Sequence, residues 1–179
     1  MVIALLSALA AAWLLSRPGP SETAAIAAPD QRPRYQIEGM TLLRTGATGA
    51  PQMQVLAKSG DYYPDGHAEF SQIEVRGLGS DRNAPWRLTA PSGSVPSKEK
   101  RILLHTPVDG SGQWPNGEPL AFHGSEVWAD QDKQQFYSDR PVQVLGTTRQ
   151  AKGSSFVAGF NGKTLSMNHV ELQYVLSGQ

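Results

Sequence analysis

Residues 85–95 read PWRLTAPSGSV, and the chain repeats this phrase. The other copies are MQVLAKSGDYY at 53–63, LAFHGSEVWAD at 120–130 and SFVAGFNGKTL at 155–165. A small residue occupies one column of the alignment, at Ala57, Ala90, Gly124 and Gly159. The intervals between these residues are 33, 34 and 35 positions. Apolar residues stand two and often four positions before the column, which predicts strands with one buried face.

A polar turn and a second apolar strand follow each phrase. The predicted second strands are EFSQIEV at 69–75, RILLHTPV at 101–108, QFYSDRPVQV at 135–144 and VELQYVL at 170–176, and an earlier strand is predicted at 34–45. The two-residue periodicity excludes helical repeats, and a propeller blade would need four strands in each unit. The pattern leaves a β-sandwich, a jelly roll or a short β-solenoid with two facing sheets.

Composition limits the possible functions. The chain has 179 residues, with 16 basic and 16 acidic side chains and no cysteine. A balanced charge argues against nucleic acid as a partner, because duplex binding requires a basic face. The lack of cysteine excludes disulfides and thiolate chemistry. The length beyond the N-terminal segments suits one domain with its own core.

The N-terminal segment MVIALLSALAAAWLL at 1–15 has no charged side chain. It fits either an uncleaved membrane anchor or a cleaved signal peptide, and both place the rest of the chain outside the cytoplasm. We expect a transmembrane anchor at 1–16, although the apolar run is short for a spanning helix. A Pro- and Ala-rich linker is predicted at 17–34, followed by one extracytoplasmic β domain at 35–179.

No group of residues predicts catalysis, a metal site or a cofactor. The four histidines are scattered, without the spacing that places two on one face. Ser97 and Lys100 match S-x-x-K formally, but they lie in a charged hairpin turn instead of at a helix start. The acidic residues Asp61, Asp65 and Glu69 surround a hairpin tip and do not line one strand face, as a glycan-cleaving pair would.

The large apolar side chains at alternating positions admit two interpretations. They fill an ordinary closed core, or they line an apolar trough that stays open along one seam between the sheets. Strand parity alone does not separate these alternatives.

The chain resembles the LptC family. The resemblance is carried by the apolar N-terminus, the Pro/Ala-rich linker and PWRLTAPSGSVPSKEKRILLHTPV at 85–108, with its L-x-A-x-x-G-x-V and L-L-x-x-P-V patterns. The closing segment GTTRQAKGSSFVAGFNGKTLSMNHVELQYVLSG at 146–178 is also similar to the last repeat of that family. The likeness covers the anchor and about residues 35–178, although related repeats occur in the partner proteins LptA and LptD.

The resemblance implies a twisted, open β-jelly roll, two facing antiparallel sheets of repeated strand pairs, tethered in the periplasm to the inner membrane. It implies a non-enzymatic role: lipopolysaccharide is received from an ABC transporter (LptF and LptG with the LptB ATPase) and passed to LptA. The residues expected to line the lipid trough are Met53, Val55, Trp86, Leu88, Val95, Leu103, Leu120, Phe122, Phe136, Val142, Val144, Leu172 and Tyr174.

The two ends of the domain are expected to pair with neighbouring proteins, because terminal strands leave backbone groups free for a partner strand. The edge expected to face the transporter contains Tyr35, Ile37, Met40 and Leu42. The edge expected to face LptA contains Val170, Leu172 and Tyr174. Two other hypotheses remain: an anchored β-sandwich with a closed core that binds glycans or is structural, and a carbohydrate-active enzyme with an exposed acid pair.

Overall fold

The computed structural model describes residues 32–78 and 86–174, and within them the secondary structure is β throughout. There are fourteen strands: β1 Tyr35–Thr45, β2 Pro51–Tyr62, β3 Ala68–Gly77, β4 Trp86–Val95, β5 Ile102–Leu104, β6 Val108–Gln113, β7 Pro119–Gly124, β8 Val127–Asp130, β9 Gln135–Ser138, β10 Val142–Gly146, β11 Arg149–Gly153, β12 Ser155–Gly159, β13 Leu165–Asn168 and β14 Glu171–Tyr174. The expected anchor at 1–16 lies outside the described residues, as does the linker up to residue 31.

The first four strands form a continuous antiparallel meander. Val55 pairs with Val75, and Val75 pairs with Leu88, so apolar residues of successive strands stand side by side on one face. That face is buried, whereas the intervening residues of the same strands are exposed or half-buried. The alternation quoted for 85–95 thus produces one apolar face, which we call the inner face.

A line of interruptions crosses the sheet from strand to strand. In the long strands the ladder skips one residue each, Gly39, Lys58, Gln72 and Pro91, and the inward-facing positions change there from odd to even numbers or the reverse. Gly39 and Gln72 have positive φ angles of 65° and 48°. Beyond β4 every strand breaks completely at this line, at 105–107, 125–126, 139–141, 154 and 169–170. The sheet therefore bends along one line that all strands share.

Beyond β4 the sheet divides into two wings. Wing 1 has the order β4-β5-β8-β9-β12-β13, and wing 2 has the order β4-β6-β7-β10-β11-β14. The chain changes wing at every interruption, so each hairpin belongs to one wing and the next hairpin to the other. The structure confirms the predicted all-β antiparallel fold but differs in connectivity, because the facing layers are two halves of one fourteen-stranded sheet.

The inner faces of the two wings pack together around aromatic rings. Phe122 of wing 2 and Phe156 of wing 1 have ring centroids 4.7 Å apart, and Trp86 lies 6.3 Å from each of them. At the far end of wing 1, Phe160 approaches β3 so closely that a Cβ atom at Gly77 would lie 2.9 Å from the Phe160 backbone. Glycine at this position permits the contact between wing 1 and the meander.

Two sequence expectations are corrected. The predicted strands at 101–108 and 135–144 are each two strands, separated by the bend. In the last unit the predicted register is one residue off, because Phe156 and Ala158 face inward while Val157 is 40% exposed. In the repeat, Gly124 is the last residue of β7 before the bend. The corresponding residue of the last unit is Gly153, the last residue of β11, and not Gly159 as the sequence alignment had it.

Candidate functional site: the inner face of the sheet

The inner face carries an unbroken row of cross-strand neighbours from one edge of the sheet to the other. Hydrogen-bonded strands place its members side by side in the order Leu42, Val55, Val75, Leu88, Gly110, Phe122, Val144, Ala151 and Leu172. Each member is apolar or glycine. We call this the central row. It provides a continuous apolar path across eight strand-to-strand steps, which is roughly 38 Å along the sheet at about 4.8 Å per step.

The two ends of the central row are exposed and its middle is closed. Leu42 is 40% exposed and Leu172 is 43% exposed, whereas Leu88 and Phe122 are completely buried. The exposure differs because the two wings cover the middle of the inner face, whereas the terminal strands β1 and β14 lie at edges of the sheet. The described residues thus form an apolar surface that is open at both ends and packed in between.

The open region at the β1 end extends beyond Leu42. Tyr35 and Ile37 face inward on β1 and are 56% and 48% exposed, and Tyr62 of β2 is 43% exposed. The rings of Tyr35 and Tyr62 lie 6.3 Å apart. Since β1 pairs only with β2, its outer backbone edge has no partner strand within the described residues. All four residues predicted for this edge, including the half-buried Met40, lie on the inner face.

The β14 end has a similar construction. Leu172 pairs with Ala151 and Tyr174 pairs with Arg149, which places both predicted residues on the inner face. Tyr174 is 66% exposed, and Val170 at the preceding bend is 47% exposed. Among the described strands, β14 pairs with β11 alone. Both predicted edges are thus strand edges with exposed apolar side chains, and whether they bind the predicted partners stays a prediction.

Nine of the thirteen residues predicted to line a trough are buried, with exposed fractions of 4% or less. They are Met53, Val55, Trp86, Leu88, Leu120, Phe122, Phe136, Val142 and Val144. Val95 is half-buried against this core, and Leu172 and Tyr174 are exposed at the edge. Contact with lipid stays a prediction for all of them.

Leu103 is a correction, because it lies on the outer face. Its neighbours Ile102 and Leu104 face inward and are buried, whereas Leu103 pairs with Trp128. Trp128 in turn stacks on Tyr137 with the ring centroids 6.4 Å apart, and the Arg101 guanidinium lies 4.8 Å from the Trp128 ring. Leu103 therefore lies beside an outer aromatic cluster and does not belong to the residues that line the predicted trough.

Several inner-face residues were not selected from the sequence. Ile73, Val75, Phe156 and Phe160 are each 2% exposed or less. The alternation of Ile73 and Val75 in EFSQIEV was a signal that could have identified them. Phe156 and Phe160 were missed because the last unit was aligned on the wrong glycine.

Charge is nearly absent from the inner face. Among the strands described, the only inward-facing charged side chains are Arg44 of β1 and Arg149 of β11, and no carboxylate faces inward. Arg149 lies with its guanidinium 4.4 Å from the Trp114 ring and donates a 3.0 Å hydrogen bond to Glu118. The inner face of the described strands is therefore almost entirely apolar and carries no pair of carboxylates.

The outer face carries the paired charges. Glu74 accepts hydrogen bonds from Arg76 and from Arg87, the latter at 2.7 Å. Burial alone would raise the pKa of Glu74, but the two guanidinium groups outweigh it and hold that pKa below its usual value. This cross-strand network stabilises the meander from the side that faces solvent.

Among the described residues there is no helix long and apolar enough to cross a membrane.

Comparison with known proteins adds two findings. The model of a family described as "Lipopolysaccharide-assembly, LptC-related" matches residues 1–172. A similar solved structure is that of LptH, the LptA homologous periplasmic component of the conserved lipopolysaccharide transport device from Pseudomonas aeruginosa. It is 10% identical at a TM-score of 0.49, and the alignment covers 70% of this chain and 95% of that chain. No curated protein matches the chain.

Proposed function

The chain belongs to the LptC family of lipopolysaccharide-assembly proteins, and from that premise we propose that its inner face carries the acyl chains of lipopolysaccharide across the sheet. The observation that supports this role is the central row, which is apolar throughout and exposed at both ends. The acyl chains lie along the inner face, and the sugar part of the lipid stays in solvent.

The energetics favour a continuous lining over separate pockets. An acyl chain of about a dozen methylenes loses roughly 10 kcal/mol of favourable burial when it returns to water, at about 0.8 kcal/mol per CH₂. A carrier that released the chain between two pockets would face this barrier at each step. A row of apolar neighbours that reaches from Leu42 to Leu172 keeps the methylenes covered at every step.

Passage through the middle requires the wings to separate. Phe122 and Phe156 close the inner face, with their ring centroids 4.7 Å apart. Acyl chains entering from an open end replace this contact between side chains with contacts to methylenes. The ligand therefore shifts the protein from a closed to an open arrangement of the same sheet.

Neighbouring proteins bind at the two edges by adding strands. In this proposal β1 faces the ABC transporter, formed by LptF and LptG with the LptB ATPase, and β14 faces LptA. Both edges offer free backbone groups beside exposed apolar side chains, such as Ile37 and Tyr174, which is the geometry of strand addition. The domain is periplasmic and held at the inner membrane by a single N-terminal span, and it acts without catalysis.

A second candidate function is a membrane-anchored β-sandwich module, structural or glycan-binding, whose core never opens. The complete burial of Trp86, Phe122 and Phe136 favours this alternative. The two candidates differ in whether lipid reaches the buried middle of the sheet.

A photo-crosslinking experiment separates them. A photoreactive amino acid is placed at Leu42, Phe122 or Leu172 in the full-length protein in cells that assemble lipopolysaccharide. The matched controls are Thr89 and His123, whose side chains lie on the outer face of β4 and β7. We expect lipopolysaccharide adducts at the three inner positions and none at the controls. Adducts at the ends alone would support the closed module, and adducts only at the controls would refute the conduit.

A further inference from the structure

Arg44 has an unusual position at the β1 end of the inner face. It is half-buried and pairs across the ladder with the buried Met53. Along its own strand the next inward-facing residue is Leu42, the exposed end of the central row. A cationic side chain thus stands beside the open end of an otherwise apolar surface.

The Arg44 guanidinium lacks an acceptor. Its Nε atom is shielded from water and has no hydrogen-bond partner, and no ion pair to Arg44 occurs in the part of the chain that the structure describes. A shielded donor without an acceptor is destabilising, and more so when the group is charged. An anion beside Arg44 would supply the partner that the described residues do not provide.

Arg149 provides an internal comparison. It stands near the opposite edge, on the inner face, but Glu118 already accepts from its guanidinium at 3.0 Å and Trp114 covers it at 4.4 Å. The Nε atom of Arg149 is also shielded and has no hydrogen-bond partner, but the Glu118 carboxylate balances the charge of its guanidinium. Among the described inward-facing cations, Arg44 therefore differs from Arg149 in having no carboxylate partner.

We propose that Arg44 binds a phosphate group of the acylated ligand while the ligand's chains lie on Leu42 and the central row. This inference rests on the proposed function and specifies the chemistry that the β1 end recognises. The planar guanidinium can donate two parallel hydrogen bonds to phosphate oxygens, here from its two terminal Nη groups. Phosphate beside several acyl chains is the arrangement found in lipid A, the membrane-embedded part of lipopolysaccharide. The charge holds the ligand at the β1 end, and apolar contact alone carries it through the middle.

The test compares ligands that differ only in phosphate. The full-length protein is titrated with bisphosphorylated lipid A, with the same lipid A after removal of both phosphates, and with inorganic phosphate as a competitor. We expect the wild-type protein to bind the bisphosphorylated form about tenfold more tightly or better, because a charge-assisted hydrogen bond is lost with the phosphates. Arg44→Gln removes this preference, and Arg44→Lys restores part of it.

Lys58→Gln is the matched control, because Lys58 is exposed and lies outside the ladder on the neighbouring strand, so the substitution removes one positive charge elsewhere. It should leave the preference unchanged. Inorganic phosphate should compete only weakly if the acyl chains are needed as well.

The outcomes distinguish this inference from the proposed function. If the wild-type protein binds both lipids with equal affinity, the proposed role of Arg44 is wrong. The proposed conduit would then act without phosphate recognition, and Arg44 would be left to pair with a carboxylate of a protein partner. Absence of binding to either lipid would refute the proposed function itself. The wild-type comparison needs no variant to overturn the inference, and Arg44→Lys, which keeps the charge but loses the planar guanidinium, tests the role of Arg44 if Arg44→Gln fails to fold.

Discussion

A disulfide between Gly77 in the meander and Phe160 in wing 1 should hold wing 1 against the meander and thereby test whether the two layers separate. A Cβ atom at Gly77 would lie 2.9 Å from the Phe160 Cα and carbonyl oxygen and 3.0 Å from the Phe160 Cβ, and disulfides span about 3.5–4.5 Å between Cβ atoms, so the Phe160 backbone must move by at least roughly half an ångström before the bond can form. The chain has no cysteine of its own, so only the engineered pair can form. The bond closes a loop of 84 residues, which corresponds to about 4.5 kcal/mol of stabilisation in the chain-entropy model.

The comparison is made between the oxidised and reduced forms of one protein, Gly77→Cys with Phe160→Cys, so the loss of the Phe160 ring cancels. For a domain of this size the stabilisation corresponds to a melting temperature roughly 10 °C higher in the oxidised form. In the photo-crosslinking assay the oxidised form should retain adducts at Leu42 but lose them at Phe122. The single variant Gly77→Cys controls for steric strain. Equal adducts at Phe122 in both forms would show that lipid passes without separation of the wings.

Two further predictions concern stability. Phe122→Ala should lower the free energy of unfolding by about 3–5 kcal/mol in denaturant titrations, because the buried ring contacts Phe156. The control is Leu43→Ala, at a residue that is 51% exposed, which should lower the free energy of unfolding by less than about 1 kcal/mol. Similar losses for both variants would contradict the closed core. The folded pKa of Glu74 lies below its unfolded value of about 4.3, so its stabilisation is present above that pH and is lost as the pH falls through the folded pKa. Glu74→Gln should therefore cost about 1 kcal/mol at pH 7 and progressively less as the pH falls through the folded pKa of Glu74, and a cost independent of pH would refute the assignment.

The sequence predicted the features that depend on strand alternation in long strands. Met53 and Val55 in β2 and Trp86 and Leu88 in β4 face inward as expected, because polar residues between them fix the parity. The terminal strands were also predicted as edges, since the repeat ends there.

The sequence did not predict the bend or the parity of the short strands beyond it. Ile102, Leu103 and Leu104 are all apolar, so the segment has no alternation from which its inward face could be deduced. The outward side of wing 1 is also partly apolar, because Leu103 and Val157 lie in one outer row with aromatic residues. Where both faces of a short strand are apolar, only the tertiary packing decides which one is inside.

The closed middle and the open ends are consistent with a single lining that serves two states. Separation of the wings in water would expose Phe122, Phe156 and Trp86, at a cost of about 1.5–3 kcal/mol for each side chain, which keeps the empty protein closed. When an acyl chain fills the space, the same rings contact methylenes and this cost is largely removed. In the proposed function, opening is thus unfavourable without ligand and nearly neutral with it, so that the residues of the closed core would line the path of the acyl chains. The burial of Phe122 is for this reason compatible with the predicted capture of lipid at the same residue.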